Sequence, residues 1–273
     1  MSSSDESKKV ALVTGVSSGI GRAVASTLTA AGYRVFGSVR KPEAPVPEGV
    51  ERVTLDVRDQ ASVDAAVAEI VQRAGRIDVL VNNAGGSIVG AIEETDTTQA
   101  QALFDVNFFG AVRATQAVLP HMRRQKSGRV VFISSVVGFL PAPYMGFYAA
   151  SKHALEGYAE SLDHEVRKLG VRALLIEPGF IKTNIDQNAD RARHPIDVYA
   201  DGVKRAGESI NASVQHGDAP ELVARAVLAT LEAPRPRLRT PVGKNAGLLA
   251  VLRSFLPAGL FDRSLRKEFR LDA

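Results

Sequence analysis

Residues 10 to 21 read VALVTGVSSGIG, which places a short buried strand directly before a glycine-rich turn. Ile20, Val24 and Leu28 then recur at helical spacing, so the chain passes from strand to turn to helix. The free N–H groups and the dipole at the start of such a helix attract phosphate. The spacing is GxxxGxG and not the commoner GxGxxG, and alone it also suits a strand–helix junction that binds nothing. The residues expected to contact a pyrophosphate are Gly15, Ser17, Ser18, Gly19, Ile20 and Gly21.

Outward from this turn, apolar runs and amphipathic stretches alternate to about residue 180. The predicted strands are Val10–Thr14, Arg34–Val39, Val53–Val57, Asp78–Asn82, Arg129–Ser134 and Val171–Glu177. The predicted helices between them include one that begins at an N-cap, Ser62, and others over residues 98–124 and 148–169. The alternation predicts an α/β fold, a single doubly wound Rossmann-type domain with a parallel sheet flanked by helices. We expect a disordered tail at 1–9, the domain at 10–240 and an amphipathic extension at 241–273.

The composition excludes several kinds of site. The 273 residues include no cysteine, so disulfides, thiolate metal ligands and cysteine nucleophiles are excluded. Five histidines share no ligand-like spacing, and we expect no metal. The net charge is +4, but the basic residues are scattered, so we expect no nucleic-acid partner. The N-terminal residues lack a signal-peptide core and no apolar run reaches the ~18 to 20 residues of a membrane span, so we expect a cytoplasmic protein.

The ends of three predicted strands carry groups suited to the rest of a dinucleotide. An NAD-specific site places a carboxylate at the end of the second strand, where it binds the ribose 2′-OH. That end carries Arg40 and no carboxylate, which favours the 2′-phosphate of NADP(H); an exposed loop cation is the alternative. Asp56, after the third strand, either accepts a hydrogen bond from the adenine amino group or caps a helix. The fourth strand ends in a run that either ties neighbouring strands or lies against the ribose: Asn82, Asn83, Ala84 and Gly85.

Tyr148 and Lys152 stand four residues apart at the start of a predicted helix, so their side chains share one face. A nearby ammonium lowers the pKa of a phenol, which then exchanges a proton with a carbonyl oxygen as a general acid/base. Ser135 follows a predicted strand, where its hydroxyl can hydrogen-bond the substrate oxygen. Asn107 lies inside a helical region that it suits poorly, which indicates a local irregularity, one that can hold a water beside Lys152.

Over roughly residues 8 to 185, the order and spacing of these motifs closely resemble the short-chain dehydrogenase/reductase family, in its shorter, NADP-preferring branch. The matching residues are TGVSSGIG at 14–21, Asp56, NNAG at 82–85, Asn107, Ser135, YAASK at 148–152 and PG at 178–179. The resemblance implies that Tyr148 is the acid/base and that Lys152 lowers its pKa and binds the nicotinamide ribose. It implies that Ser135 orients the substrate and that Asn107 anchors a proton-relay water. It also implies a segment that holds the nicotinamide carboxamide, made of Pro178, Gly179, Ile181 and Thr183.

The activity implied by the resemblance is hydride transfer between NADP(H) and a small-molecule carbonyl/alcohol pair, as in an alcohol dehydrogenase or carbonyl reductase. We expect a homodimer or homotetramer. Residues 184–217 resemble the family's mobile substrate lid. The residues before Tyr148 suggest an apolar substrate wall, with packing under the lid as the alternative: Phe139, Leu140, Pro141, Pro143, Tyr144, Met145 and Phe147.

Two questions stay open at the level of the sequence. The tail beyond residue 240 packs on its own domain or lid, contacts another subunit, or binds a membrane surface. Besides a reductase of apolar ketones, two other functions fit: a non-catalytic NADP-binding sensor or scaffold on the same fold, and a membrane-associated steroid or lipid dehydrogenase.

Overall fold

A parallel sheet of seven strands forms the centre of the computed structural model, which describes residues 8–183, 189–269 and 271. The strands, in chain order, are β1 (Val10–Val13), β2 (Arg34–Val39), β3 (Glu51–Thr54), β4 (Val79–Asn82), β5 (Ile88–Val89), β6 (Gly128–Ile133), β7 (Val171–Pro178), β8 (Asp190–Arg191) and β9 (Arg239–Val242). The order across the large sheet is β3-β2-β1-β4-β6-β7-β9, and β5 pairs with β8 in a second sheet of two parallel strands. The predicted doubly wound Rossmann-type fold is confirmed.

Helices cover both faces of the large sheet. In chain order they are α1 (Gly19–Ala30), α2 (Gln60–Ala74), α3 (Thr97–Phe104), α4 (Gly110–Gln125), α5 (Gly146–Val166), α6 (Ala200–Gln215), α7 (Pro220–Glu232), α8 (Ala246–Phe255) and α9 (Ala258–Glu268). Side chains alternate along β1, so Leu12 packs on the face covered by α2, α4 and α5, whereas Val13 packs on the face covered by α1 and α7. Because both faces of the sheet are buried, the central strands β1 and β4 are almost entirely apolar.

The topology determines where a ligand can bind. β1 lies between β2 and β4, and the chain crosses from one side of β1 to the other after β3. Connections leave the carboxyl ends of β1 and β4 in opposite directions, which opens a crevice at that edge. All the strand ends predicted to carry functional residues lie at this same edge, because the strands are parallel.

Two local predictions are wrong. The N-cap of α2 is Asp59, whose carboxylate accepts the N–H of Ala61 at 3.0 Å, whereas the Ser62 hydroxyl accepts the N–H of Asp56 at 3.0 Å. The helix therefore begins before Ser62, whose side chain is used to hold the preceding loop. The third strand lies at Glu51–Thr54 and not at Val53–Val57, because it pairs in register with β2, which ends at Val39.

The part of the chain after residue 183 contributes more to the sheet than the sequence indicates. β9 extends the sheet beside β7 and spans residue 240, where the sequence predicts a domain boundary. Its sequence, RTPV, has no buried-strand pattern, so the strand is not predicted from the sequence. The expected lid is described from residue 189 as β8, a 3-10 turn at Asp197–Tyr199 and α6. Residues 184–188, like residues 1–7 of the expected tail, lie outside the described residues.

Candidate active site

The glycine-rich turn at the end of β1 is tied to the end of β4. The Thr14 hydroxyl accepts the N–H groups of Asn83 and Ala84 at 2.9 and 3.0 Å. The Asn83 side chain donates to the carbonyl oxygens of Thr14 and Gly15 at 2.8 and 3.0 Å. The Asn82 side chain donates to the Thr115 hydroxyl at 3.0 Å. Of the two roles that the sequence left open for these asparagines, both side chains therefore have the structural one: they link neighbouring segments of the chain.

The start of α1 fits the pyrophosphate of a dinucleotide. Its N-cap, Ser18, makes no capping hydrogen bond with its side chain, and no acidic residue lies in the first turn. The N–H groups and the positive end of the helix dipole therefore face the crevice without a competing carboxylate. Ser17 and Ser18 are exposed, and Gly19 and Ile20 are half-buried at the same edge. The predicted pyrophosphate contacts thus lie together around open helix donors.

Glycine is required at position 21 by the packing of this turn. A Cβ there would lie 2.2 Å from the Gly15 carbonyl oxygen and 2.3 Å from the Asn83 side-chain nitrogen. The helix can approach the strand this closely only without a side chain. Gly15, which has a φ of +72°, donates its N–H to the Ser38 hydroxyl at 3.1 Å. Ser38 is thus a support for the turn that sequence reasoning missed.

Two cations follow the ends of β2 and β3. Arg40 is exposed just beyond β2, and its charge helps lower the pKa of Asp56, so the two residues are neighbours. The pKa of Asp56 falls to about 2, and the largest cause of this shift is the hydrogen bonding from Arg58. Asp56 is therefore ionised and paired with Arg58 at 2.5 Å. Sequence reasoning missed Arg58, which partly neutralises the Asp56 carboxylate.

Asn107 lies in a π-helical turn, Asp105–Phe109, between α3 and α4. The side chain is 2% exposed, and its oxygen accepts the N–H of Gly86 at 2.8 Å. Its nitrogen donates to the Gly86 carbonyl and to the Ser151 hydroxyl, both at 3.0 Å. The predicted irregularity at this position is confirmed. The side chain connects the loop after β4 to α5, and the relay water stays a prediction.

Tyr148 and Lys152 lie in the first turns of α5, with the Lys152 nitrogen 5.8 Å from the centre of the Tyr148 ring. Lys152 is 6% exposed and donates to the carbonyl of Ile133, the last residue of β6, at 2.9 Å. Ser135 begins a 3-10 turn at 136–138 that packs against α5, and its hydroxyl lies 3.4 Å from the Pro178 carbonyl. The fold therefore brings the tyrosine–lysine pair and the serine to one sheet edge.

The electrostatics of Lys152 are unusual for a lysine. Burial lowers its pKa to about 8, and the negative charge of Glu156 acts in the opposite direction. A buried ammonium loses water as a partner, so the charged form depends on nearby anions and acceptors. The charge state of Lys152 is therefore sensitive to its buried neighbours at neutral pH.

The segment expected to hold the nicotinamide carboxamide continues from the end of β7. Gly179 donates its N–H to the Val242 carbonyl of β9 at 2.9 Å, and Ile181 is buried and bridged to Asp218. Thr183 adjoins the glycine-rich turn, because a Cβ at Gly19 would lie 3.4 Å from its methyl group. Two exposed cations missed by sequence reasoning, Arg22 and Lys182, line the cleft beside Gly19 and Thr183.

Apolar side chains gather around Tyr148 on the substrate side. The cluster is built on Ala142, Met145, Ala149 and Ile210, and the side chains packed against it are Val89, Val137, Tyr148, Val214 and Phe269. Met145 comes from the predicted apolar wall, whereas Phe139 and Leu140 pack instead with Leu249 and Phe261 of the tail. α6 and the tail thus contribute to the apolar surroundings of Tyr148.

Two further observations concern the described ranges 8–183, 189–269 and 271. They contain no group of three or more histidine, aspartate or glutamate side chains placed to hold a metal ion. None of the helices in them is both long and apolar enough to cross a membrane.

An open helix N-terminus for phosphate and a tyrosine–lysine pair lie at the same edge of the sheet. This arrangement suits hydride transfer with a nicotinamide dinucleotide, and the protein is an oxidoreductase of that class. The family model described as short chain dehydrogenase matches residues 9–194. The chain therefore belongs to the short-chain dehydrogenase family.

Individual relatives agree over nearly the whole chain. The 3-ketodihydrosphingosine reductase of Bacteroides thetaiotaomicron is 36% identical over 261 residues, which cover 94% of this chain and 97% of the relative. The NADPH-dependent 3-dehydrocapnine reductase of Ornithobacterium rhinotracheale is 32% identical over 276 residues, 96% of this chain and 98% of the relative.

Solved structures share the fold, and among them one contains NAD and another contains NADP. A short-chain dehydrogenase from Streptomyces avermitilis is 38% identical, with a TM-score of 0.82 and coverage of 98% and 99% of the two chains. A short-chain dehydrogenase/reductase from Burkholderia phymatum in complex with NAD is 26% identical (TM-score 0.78, coverage 91% and 93%). ElxO with NADP bound is 29% identical (TM-score 0.70, coverage 83% and 92%).

Proposed function

We propose that this protein is an NADPH-dependent reductase that interconverts an apolar ketone or aldehyde and its alcohol, with Tyr148 as the acid/base. The observation that carries the proposal is the position of Tyr148, half-buried at the crevice, with the buried Lys152 nitrogen 5.8 Å from its ring. A phenol placed next to a cation is more easily ionised than in water, which is what proton exchange at neutral pH requires.

The chain's own residues supply position and proton transfer. When bound, NADPH supplies the hydride. The Tyr148 hydroxyl donates its proton to the substrate oxygen during reduction and takes it back during oxidation. The Ser135 hydroxyl donates a hydrogen bond to the same oxygen as negative charge develops on it. Lys152 stabilises the phenolate that Tyr148 becomes after it has given up the proton.

The preference for NADPH rests on the charges at the end of β2. Arg40 is exposed there, and the neighbouring carboxylate of Asp56 is already paired with Arg58. A planar guanidinium binds a phosphate through two parallel hydrogen bonds, whereas an unpaired carboxylate at this position would repel it. We propose that Arg40 binds the 2′-phosphate.

Support for an apolar substrate comes from two directions. Tyr148 packs against a cluster of aliphatic and aromatic side chains, with Met145, Ile210 and Phe269 among them. Two relatives that match over most of both chains carry names that specify reductases of 3-keto or 3-dehydro compounds. We propose a ketone carried on an apolar chain or ring as the substrate class.

The test is Tyr148→Phe, measured as NADPH oxidation against a panel of ketones that includes 3-ketodihydrosphingosine. Loss of the hydroxyl should lower kcat by about 10²- to 10⁴-fold, because general acid catalysis is lost, while NADPH affinity stays the same. Tyr158→Phe is the matched control, since Tyr158 lies on the same helix but packs against Phe108 and Phe132. Equal activity of the two variants contradicts the role of Tyr148. If the wild-type protein binds NADPH tightly but turns over none of the ketones, the result favours the alternative function, a non-catalytic NADP-binding sensor or scaffold.

A membrane-associated lipid dehydrogenase is the second candidate, because α8 exposes an apolar face. Leu248, Val251 and Phe255 on this face are 56%, 55% and 83% exposed. Interfacial helices bind a lipid surface through an apolar face of this kind. Sedimentation with anionic vesicles tests the candidate: Phe255→Ser should reduce binding, while Val198→Ser, a change at an equally exposed apolar residue elsewhere (80%), should not. Failure of the wild-type protein to sediment with vesicles contradicts this candidate.

A further inference from the structure

Two buried carboxylates lie behind the tyrosine–lysine pair, and the proton transfer described above does not use them. Glu156 is 2% exposed and stands four residues after Lys152, so it lies one helical turn away on the same face of α5. Glu177, near the end of β7, is 1% exposed. Carboxylates are almost never fully buried unless they are paired, so each needs a physical reason for its position.

A single arginine connects the carboxylates. Arg239 on β9 donates through one terminal nitrogen to Glu156 at 2.6 Å and to Glu177 at 2.5 Å. Its Nε donates to Glu160, which is 40% exposed, at 2.8 Å. The other oxygen of Glu156 accepts the hydroxyl of Ser134 at 2.7 Å. Glu156 of α5 thus contacts β9 through Arg239 and the end of the β6 segment through Ser134, and Arg239 links it to Glu177 of β7.

The Glu156 carboxylate is also enclosed from above. A Cβ at Gly138 would lie 2.0 Å from its Oε1 and 2.6 Å from the Ser134 hydroxyl oxygen. The 3-10 turn after Ser135 therefore passes over the carboxylate in close contact, which only glycine allows. This packing holds Glu156 in one place, in a region where charges interact more strongly than in water.

The charges of this cluster do not balance when every group is ionised. Among the titratable groups on the elements packed together here, those placed around Lys152 and Glu156 are Tyr148 and Glu160 on α5, Glu177 on β7, Arg239 on β9, and Asp105 of the π-helical turn, which is paired with Arg113. The others on α5 and β7 are His153, Tyr158, Asp163, His164, Glu165 and Arg172. Around Lys152 and Glu156, apart from the pair of Asp105 and Arg113, three carboxylates face two cations. Burial, together with the negative charge of Glu156, raises the pKa of Glu177 to about 7, so Glu177 is the group that takes up a proton.

We propose that Glu156 is a positioning residue for Lys152: its carboxylate, held by Ser134 and Arg239, keeps the buried lysine protonated beside Tyr148. The inference rests on the proposed function for its catalytic consequence, but the charge on Lys152 is a property of the protein alone. Burial lowers the pKa of Lys152 and so favours its neutral form. The negative charge of Glu156, one helical turn away, raises that pKa and partly offsets the effect of burial. Without that charge, Lys152 becomes neutral near pH 7 and the phenolate of Tyr148 loses its cation.

The direct test is the titration of Lys152 in the cofactor-free protein, followed by NMR of ¹³C-labelled lysine side chains and assigned with Lys152→Arg. Glu156→Gln keeps the shape and hydrogen-bonding capacity of the side chain but removes its charge. We expect the midpoint of Lys152, about 8 in wild type, to fall by about one unit or more. Glu160→Gln is the matched control, because it removes a carboxylate from the same arginine on the solvent side; its effect should stay below about 0.3 unit.

Equal shifts in the two variants, or no shift in Glu156→Gln, overturn the inference. If Glu156→Gln does not fold, Glu156→Asp decides, because it keeps the negative charge and shortens the side chain by one methylene group. The Lys152 midpoint should then stay within about 0.5 unit of the wild-type value. A larger fall despite the retained charge overturns the inference.

The catalytic consequence has a separate readout. In the direction of alcohol oxidation, Tyr148 must accept a proton, so Glu156→Gln should move the rise of kcat/KM with pH upward by about one unit. If the protein turns over ketones but the Lys152 midpoint is unchanged in both Glu156→Gln and Glu160→Gln, the inference is overturned and the proposed function stands. A shifted titration in a protein that reduces no ketone supports the inference and contradicts the proposed function.

Discussion

Replacement of Gly21 by alanine tests the geometry of the dinucleotide turn. The new methyl group would lie 2.2 Å from the Gly15 carbonyl oxygen and 2.3 Å from the Asn83 side-chain nitrogen. Neither neighbour moves freely, because Asn83 donates to both Thr14 and Gly15. Overpacking costs about 1–3 kcal/mol and each hydrogen bond of Asn83 contributes about 1 kcal/mol, so we expect the free energy of unfolding to fall by about 2–5 kcal/mol.

The same displacement should open the turn that faces the pyrophosphate. We therefore expect NADPH to bind at least about tenfold more weakly, which corresponds to about 1.4 kcal/mol. Urea denaturation measures the stability, and quenching or enhancement of NADPH fluorescence measures the affinity. Gly157→Ala is the control: nothing lies within 4 Å of its added Cβ on α5, so it should stabilise the protein by about 0.4–1 kcal/mol. A Gly21→Ala protein with wild-type stability and NADPH affinity would refute the reasoning.

Two further predictions concern charges. Arg40→Asp should reduce the preference for NADPH over NADH by at least about tenfold, because a charge-assisted hydrogen bond is replaced by repulsion. The preference is measured as the ratio of the dissociation constants of NADPH and NADH, and an unchanged ratio argues against the contact between Arg40 and the 2′-phosphate. Burial of Asp163 opposes ionisation, but hydrogen bonds from Arg172 and Arg167 lower its pKa below the ordinary value. Its stabilising effect is therefore present at neutral pH and is lost as pH falls below about 4. Asp163→Asn should unfold about 3 kcal/mol more easily at pH 7 in urea and should show a flatter loss of stability towards pH 3 than wild type; parallel curves for the two proteins would count against the ion pair.

Much of the fold could be predicted because it depends on local patterns. The apolar runs of β1, β2, β4, β6 and β7 are continuous, since helices cover both faces of the sheet, and glycines separate them from amphipathic stretches. The errors occurred where the pattern is weak. β9 reads RTPV and has only one buried residue, Val242, so its place in the sheet depends on pairing with β7. The start of α2 was misplaced because Asp59 and Ser62 are both good capping residues.

The candidate site divides in a similar way. Tyr148, Lys152 and the glycine-rich turn could be found from the sequence because their spacing follows from a single helix or a single turn. Glu177 and Arg239 could not be found, since each looks like an ordinary charged residue on its own strand. Arg239 joins Glu177 to Glu156 only after β7 pairs with β9 and α5 packs against β7.

The sequence alone was sufficient to identify the doubly wound fold, the family and the residues that belong to its motifs. These features are encoded in short segments whose periodicity and spacing survive without tertiary contacts. Only the tertiary structure decided which charges surround Lys152, which elements form the apolar surroundings of Tyr148, and how the tail joins the sheet. Interactions between distant segments depend on distances that no local pattern contains, and burial then determines how strongly the assembled charges act on one another.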